Sequence, residues 1–247
     1  MFTVDGVTKV VKSALHPSGS APADGNRSRR TGVTARLRVP FIRWLLRPLL
    51  HLLLDLHVAH PQRLQLAGPA IVCANHNSHL DSLVLLSLFP ACLLPRVRPV
   101  AAADYFLRNP LLAWVATTLI GIIPIDRDAR ARGLDPLAGC HEALARGDIL
   151  LLFPEGTRGE PERRQPLRKG VAWLLEQHPD VPVVPVFLHG LGKVLPRGAA
   201  LPVPFACGVA VGETLAWRGC RETFMQDLES ALQRLAADRT ASRAQRS

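Results

Sequence analysis

A histidine and an aspartate five residues apart follow a short apolar run. His76 and Asp81 belong to the segment Asn75–Asp81, directly after residues 70–74, which have the pattern of a buried strand. If the chain turns into a helix between them, the carboxylate meets one imidazole nitrogen, fixes the tautomer and stabilises the protonated ring. The other nitrogen is then a general base. The pattern pairs no serine nucleophile with this base; the alternative is a structural pair.

A metal site is a second interpretation of the same segment. His76, His79 and Asp81 offer three possible ligands. Their spacing matches neither His-Glu-x-x-His nor a His-x-His-x-Asp-His cluster, and no further Cys or His is near in sequence. We therefore predict a general base rather than a metal centre, and no metal ion.

A second polar cluster, residues 153–159, follows another apolar run with the sequence Phe-Pro-Glu-Gly-Thr-Arg-Gly. Gly156 and Thr157 allow a tight turn with outward N–H groups, and Arg158 adds a planar fork suited to phosphate oxygens. Glu155 would repel an anion there unless it binds a hydroxyl or pairs with an arginine. The cluster predicts an anion site, although a plain strand-to-helix turn would use the same residues.

A third apolar run, residues 121–125, ends at Asp126-Arg127. By itself Arg127 has the pattern of an ordinary surface ion pair. Because ligands collect at the carboxyl ends of strands in α/β sheets, we expect one base and two cationic strand ends at the same edge. This arrangement suits removal of a proton from a hydroxyl whose neighbouring phosphate is held in place.

Apolar runs alternate with helical patterns from residue 70 onward. This alternation predicts an α/β fold with a mixed, largely parallel sheet flanked by helices. The predicted helices lie near residues 80–89, 105–119, 133–146, 168–178 and 220–240. The predicted strands are Ala70–Ala74, Pro99–Ala102, Ile122–Ile125, Ile149–Phe153, Val183–Leu188 and Ala206–Val211.

The segment from Phe41 to Val58 is rich in leucine and predicts an amphipathic helix. Its polar residues recur every four positions, which on a helix makes one drifting stripe. The charges and Pro48 argue against a spanning helix, so we expect it to lie in the membrane interface, kinked near Pro48. The alternative is that its leucines pack on the protein's own core. The stripe is Arg43, Arg47, His51 and Asp55.

The net charge of +10 is concentrated at the termini. Residues 1–40 contribute +5 and residues 239–247 contribute +3, whereas residues 41–238 contribute only +2. We predict a flexible basic arm at 1–34, the amphipathic helix within 35–60, a catalytic domain at 61–240 and a basic tail at 241–247. The small charge of the folded part argues against a non-catalytic basic module that binds membranes or nucleic acid.

Four sequence blocks together resemble the glycerolipid acyltransferase family, which includes the bacterial 1-acyl-glycerol-3-phosphate acyltransferases. The first and third blocks are specific in combination, and the likeness covers roughly residues 41–215. The blocks are Asn75-His76-x-Ser78-x-x-Asp81, Gly121 to Arg127, Phe153 to Arg158, and Val181-Pro-Val-Val-Pro-Val186.

The resemblance implies that His76 is the base, that Asp81 is its partner, and that a lipid hydroxyl attacks an acyl thioester directly. By the same likeness the glycerol phosphate is held by Arg127, Glu155, Gly156, Thr157 and Arg158. The implied reaction moves a fatty acyl group from acyl-CoA or acyl carrier protein to 1-acyl-glycerol-3-phosphate (lysophosphatidate) and gives phosphatidate, with no cofactor.

Departures from the family's pattern leave the acceptor open. Pro124 stands where an aromatic or large apolar residue is common, and Gly159 where serine commonly follows the arginine. A lyso-ornithine lipid, another lysophospholipid or glycerol 3-phosphate is therefore an alternative acceptor. Because no apolar segment of a secretory signal follows the first basic residues, we expect the protein on the cytoplasmic face of the cell membrane, peripheral or monotopic.

Overall fold

Seven strands form one sheet in the computed structural model, which describes residues 37–78, 80–106, 109–156, 165–194 and 205–244. The predicted N-terminal arm, residues 1–34, lies outside the described residues. The strands are β1 (Leu54–Ala59), β2 (Ala70–Ala74), β3 (Val97–Ala102), β4 (Ile123–Ile125), β5 (Ile149–Leu152), β6 (Val183–His189) and β7 (Phe205–Val211).

The strand order across the sheet is β1-β7-β6-β2-β5-β3-β4. All neighbours pair in parallel except β6 and β7, which are antiparallel. The predicted mixed, largely parallel sheet is therefore confirmed. Because β2 to β6 run in the same direction, the segments that follow them emerge at a single edge, which we call the carboxyl edge; the opposite edge is the amino edge.

Helices cover both faces of the sheet, and the central strands are apolar on both sides as buried parallel strands are. Strand β2, with sequence Ala-Ile-Val-Cys-Ala, is buried along its whole length. Helices α1, α2 and α7 pack on one face and α5, α6 and α8 on the other. The helices are α1 (37–53), α2 (Leu80–Leu88), α3 (Ala103–Phe106), α4 (110–120), α5 (Ala138–Ala145), α6 (Gly170–Gln177), α7 (Leu191–Val194) and α8 (Arg221–Ala244).

Helix α1 has two apolar faces. Ile42, Leu46 and Leu50 are buried in the core on the α2 side of the sheet. Trp44 and Leu52 are 74% and 82% exposed, and Leu45 and Leu49 are exposed with them. One apolar face of the leucine-rich helix therefore packs in the core, and the other apolar face is exposed. None of the helices in the described residues has the length and hydropathy needed to span a membrane.

The interruption predicted near Pro48 takes the form of π-helical turns over Phe41–Leu46. Proline has no backbone N–H, so the carbonyl four residues before it cannot be paired in the usual way. Wider turns accommodate this break, as the backbone N–H of Arg47 donates to the carbonyl of Ile42, five residues earlier.

The prediction of a helix continuing to Val58 is wrong. Residues 54–59 form the edge strand β1, which pairs in parallel with β7. Leu54, Leu56 and Val58 alternate with exposed positions, the period of a strand with one covered face. At the other end of the chain, α8 continues to Ala244, into the segment predicted as a tail.

Candidate active site

His76 and Asp81 meet at the carboxyl edge, where the loop after β2 turns into α2. The Nδ1 atom of His76 lies 2.9 Å from Oδ2 of Asp81, in the first turn of α2. The same oxygen accepts hydrogen bonds from the backbone N–H groups of Asn77 at 2.6 Å and Ser78 at 2.8 Å. The spacing therefore produces the predicted pair because the loop wraps around the carboxylate.

Burial makes this carboxylate a strong orienting group. Asp81 is fully buried, whereas the side chain of His76 is 19% exposed. A neutral imidazole that donates from Nδ1 to Asp81 keeps its proton there, so Nε2 is the basic nitrogen. A protonated ring would be stabilised by the negative charge beside it.

Two asparagines fasten the loop to β6. The side chain of Asn75 donates to the carbonyl of Leu188 at 2.9 Å and accepts from its backbone N–H at 2.7 Å. Asn77 donates to the same carbonyl, also at 2.9 Å. The ends of β2 and β6 are thus held together next to His76, which fixes the position of the loop that carries the base.

An aromatic ring supports the imidazole. Phe153, which directly follows β5, stacks on His76 with ring centroids 4.3 Å apart and an interplanar angle of 25°. With Asp81 at Nδ1 and Phe153 against one ring face, the orientation of the imidazole is determined from two sides. Phe153 was predicted only as the end of a strand and the first residue of the third block. It contacts His76 because β5 lies next to β2.

The turn after Phe153 reaches Arg127. The backbone N–H of Gly156 donates to the carbonyl of Phe153 at 3.0 Å. Arg127 Nη2, from the segment after β4, donates to the carbonyl of Gly156 at 3.1 Å. The contacts His76 to Phe153, Phe153 to Gly156 and Gly156 to Arg127 therefore form a continuous series that connects the imidazole to this cation.

The carboxylates near Arg127 leave much of its charge available. Asp126 pairs with Arg132, and the backbone N–H of Asp128 lowers the pKa of the Asp126 carboxyl. Asp104 lies 3.8 Å from Arg127 Nη1. Since both members of that pair are about half exposed, water screens their attraction.

Other predicted binding residues are placed differently or lie outside the description. Glu155 is buried, so its carboxylate sits behind the turn rather than in open solvent. Thr157 and Arg158 lie outside the described residues, and their contact with a phosphate stays a prediction. His79 is also outside them; elsewhere in the described chain, no three His, Cys, Asp or Glu side chains cluster as metal ligands would.

Sequence reasoning missed Arg168 at this site. Its backbone N–H donates to the carbonyl of Pro154 at 2.7 Å, and its side chain lies over Gly156. The chain leaves the turn at Gly156 and returns to it at residue 168. The only signal in the sequence was the arginine itself, at the first position of the predicted helix 168–178.

Comparison with known proteins places residues 55–189 in the family described as Acyltransferase. A chloroplastic 1-acyl-sn-glycerol-3-phosphate acyltransferase of Brassica napus is 34% identical over 131 residues, 53% of this chain and 36% of that protein. The human 1-acyl-sn-glycerol-3-phosphate acyltransferase beta is 30% identical over 134 residues, 54% of this chain and 46% of that one. The chain thus aligns with between a third and a half of the length of these relatives.

The fold has a counterpart among solved structures. The crystal structure of the 1-acyl-sn-glycerophosphate acyltransferase of Thermotoga maritima superposes with a TM-score of 0.63, covering 95% of this chain and 88% of that one at 18% identity. The matched segment of the family model begins in β1 and ends with β6, so it includes the loop of His76, the segment of Arg127 and the turn at Gly156. The chain belongs to the acyltransferase family.

Proposed function

We propose that the protein transfers a fatty acyl group from a thioester, acyl-CoA or acyl carrier protein, to the free hydroxyl of 1-acyl-glycerol-3-phosphate, giving phosphatidate. The observation that carries the proposal is the imidazole of His76, held by the buried carboxylate of Asp81 at 2.9 Å and joined through Phe153 and Gly156 to Arg127. A base and a cation in one cluster suit an acceptor with a hydroxyl and a phosphate.

In the proposed reaction His76 Nε2 removes the hydroxyl proton as the acceptor oxygen attacks the thioester carbonyl carbon. The tetrahedral adduct collapses, the carbon–sulfur bond breaks, and the thiolate takes the proton back from the imidazolium. Asp81 stabilises the imidazolium while it exists. The step needs no acyl-enzyme, and its only other product is the free thiol.

Arg127 is proposed to hold the acceptor phosphate and thereby bring the hydroxyl to the base. Fixing the reacting atoms relative to each other accelerates a bimolecular reaction by removing orientational freedom. The relatives support this acceptor, because they are 1-acyl-sn-glycerol-3-phosphate acyltransferases. In this scheme Gly156, Thr157 and Arg158 complete the phosphate site.

The exposed face of α1 is proposed to contact the membrane that supplies the lysolipid. Trp44, Leu45, Leu49 and Leu52 form a surface of large apolar side chains, with Arg43 against the Trp44 ring at 5.5 Å. Tryptophan and arginine next to exposed leucines are typical of a helix that lies in the headgroup region. We place the protein on the cytoplasmic face, where the thioester donors are available.

Vesicle flotation tests the membrane contact. Changing Trp44, Leu49 and Leu52 together to serine is expected to reduce binding to anionic vesicles strongly without loss of folding, because these side chains are exposed. Leu134, an exposed leucine after the Arg130–Arg132 turn, is the control when changed to serine. Equal binding of the triple variant and the control would contradict the proposal.

Product analysis tests the reaction. The purified protein is incubated with labelled acyl-CoA or acyl carrier protein and, separately, lysophosphatidate, lyso-ornithine lipid, lysophosphatidylcholine and glycerol 3-phosphate, and the lipids are separated by thin-layer chromatography. We expect labelled phosphatidate from lysophosphatidate. Preference for another acceptor would correct the substrate, and transfer to none of them would overturn the proposed activity.

A further inference from the structure

Two guanidinium groups flank the turn at Gly156. Arg127 donates to its carbonyl oxygen from one side at 3.1 Å. On the other side, a Cβ atom at position 156 would lie 2.5 Å from Arg168 Nε and 2.6 Å from Arg168 Cδ. Gly156 also has φ +72°, a conformation that favours glycine. The residue is thus a glycine for two reasons, one of which is the arginine lying over it.

The contact with the turn fixes where this second cation sits. The backbone N–H of Arg168 donates to the carbonyl of Pro154 at 2.7 Å, two residues before Gly156. The arginine is therefore anchored at its backbone and packed at its Cδ and Nε atoms. The residue as a whole is exposed, and the ion pairs found among the described residues do not include it.

The neighbouring residue, Lys169, contacts a different part of the protein. Lys169 lies 3.9 Å from the carboxylate of Glu222, at the start of α8. Two neighbouring cations thus point to different parts of the molecule, one towards the packing of α8 and the other towards the turn beside the base. Of these two residues, Arg168 is the one that lies at the turn that Arg127 also contacts.

We propose that Arg168 is a binding residue for the acceptor's phosphate and acts together with Arg127, which contacts the same Gly156. This inference rests on the proposed function. A guanidinium donates in a planar fork that matches two phosphate oxygens, and two such groups around one turn suit the dianion of a terminal phosphate. The pair therefore favours acceptors with a phosphomonoester over those with a phosphodiester headgroup.

Kinetics of Arg168→Ala, with Lys169→Ala as the matched control, test the assignment. Loss of a charge-assisted contact is expected to raise the KM for lysophosphatidate about tenfold or more. The KM for the acyl donor and the kcat at saturating acceptor stay near the values of the unchanged protein. Lys169→Ala leaves all three constants unchanged. Arg168→Lys restores part of the affinity because it keeps the charge without the fork.

A second measurement is independent of turnover. Calorimetric titration with glycerol 3-phosphate is expected to show binding to the unchanged protein and to Lys169→Ala, and much weaker binding to Arg168→Ala. Thermal melting of each variant shows whether it is folded. If Arg168→Ala is not folded, the titration is carried out with Arg168→Lys, which should bind glycerol 3-phosphate more weakly than the unchanged protein does.

The outcomes separate the two proposals. Unchanged acceptor KM and unchanged glycerol 3-phosphate binding in folded Arg168→Ala would overturn the assignment and leave the acyltransferase activity standing. If glycerol 3-phosphate binding depends on Arg168 but the protein acylates no acceptor, Arg168 remains a phosphate-binding residue and the proposed acyltransferase activity is overturned. A rise in the donor KM instead of the acceptor KM would place Arg168 at the thioester and also overturn it.

Discussion

Arginines lie at both edges of the sheet, but those at the amino edge bind groups of the protein itself. Arg96 donates through Nε to the carbonyl of Gly147 at 2.9 Å. Arg98 and Arg146 both reach Asp148, each at 3.4 Å. These contacts join the starts of β3 and β5, which are neighbours in register. Their guanidinium donors are thus engaged with backbone carbonyls and a nearly buried carboxylate.

At the carboxyl edge the arginines are less engaged. Arg127 has one hydrogen bond, to the carbonyl of Gly156, and one long contact to Asp104. Arg168 packs on the same glycine. Both residues are exposed to solvent. The difference shows that the number of arginines does not locate an anion site. What locates it is how many of their donors the folded chain leaves unused next to a base.

The proposed chemistry lies entirely at the carboxyl edge, and among the substitutions there His76→Ala is expected to have the largest effect. Because a positioned base contributes about 10²–10⁴-fold in rate, turnover is expected to fall by about that factor, with little change in melting temperature. Steady-state kinetics with lysophosphatidate measure it. His141→Ala is the control, since His141 pairs with His178 away from the site. Full activity of His76→Ala would remove the mechanism.

At the amino edge, Arg96→Ala is expected to change stability and leave catalysis intact. The substitution removes two donors from the carbonyl of Gly147. A hydrogen bond from a charged group contributes about 1.5–3 kcal/mol, so the free energy of unfolding should fall by about 2 kcal/mol. Urea unfolding measures this loss, and the acceptor KM should not move. A raised acceptor KM without a loss of stability would contradict the structural role of Arg96 and would place acceptor binding at the amino edge.

The fold and the contact between His76 and Asp81 could be predicted because their signals are local. Apolar runs that are buried on both faces mark central parallel strands, and Ala70–Ala74 is predicted to the residue. The five-residue spacing of His76 and Asp81 spans a single loop and the first turn of α2. Nothing distant in sequence has to be known to bring these two side chains together.

The edge strand β1 was missed because two periods overlap in one segment. Arg43, Arg47 and His51 recur at helical spacing, and Asp55 continues that series by position alone. Residues 54–59 alternate with period two, a pattern that is decisive only when a partner is known. The partner, β7, is about 150 residues away along the chain.

Arg168 could not be predicted for a related reason. Its contact depends on the positive φ of Gly156 and on the packing of a side chain from twelve positions later in the sequence over that glycine. A sequence motif captures residues that stay together in the chain. It does not capture a side chain that fills the space above a glycine from a later segment.

Arg127→Ala and Arg146→Ala compare the two edges at matched exposure, since their side chains are 52% and 49% exposed. The first should raise the acceptor KM about fivefold to tenfold, because a partly exposed charge-assisted contact to phosphate is lost. The second removes contacts to Glu142 and Asp148 and should leave the KM unchanged. Equal effects of the two variants on KM would show that net charge, not position, attracts the acceptor.

The smallest expected effect concerns Arg38, a buried arginine of α1 that donates to the carbonyl of Val97 at the amino edge. Burial, aided by the charge of Arg98 and opposed by Asp148, lowers its pKa well below the usual range of an arginine, to about 9. Above pH 9 the folded state therefore releases a proton that the unfolded chain still holds. Stability contributed by this group rises with pH across that window.

Arg38→Met removes the titration, and the two proteins should differ in their response to pH. Between about pH 8 and about pH 9.7, the unfolding free energy of the unchanged protein should gain about 1 kcal/mol relative to Arg38→Met. Urea unfolding at the two pH values measures the difference, and other alkaline groups cancel because both proteins carry them. Parallel pH profiles would mean that Arg38 keeps an ordinary pKa. In that case the carboxylate of Asp148 would offset the burial of Arg38 and the charge of Arg98 more fully than the structure indicates.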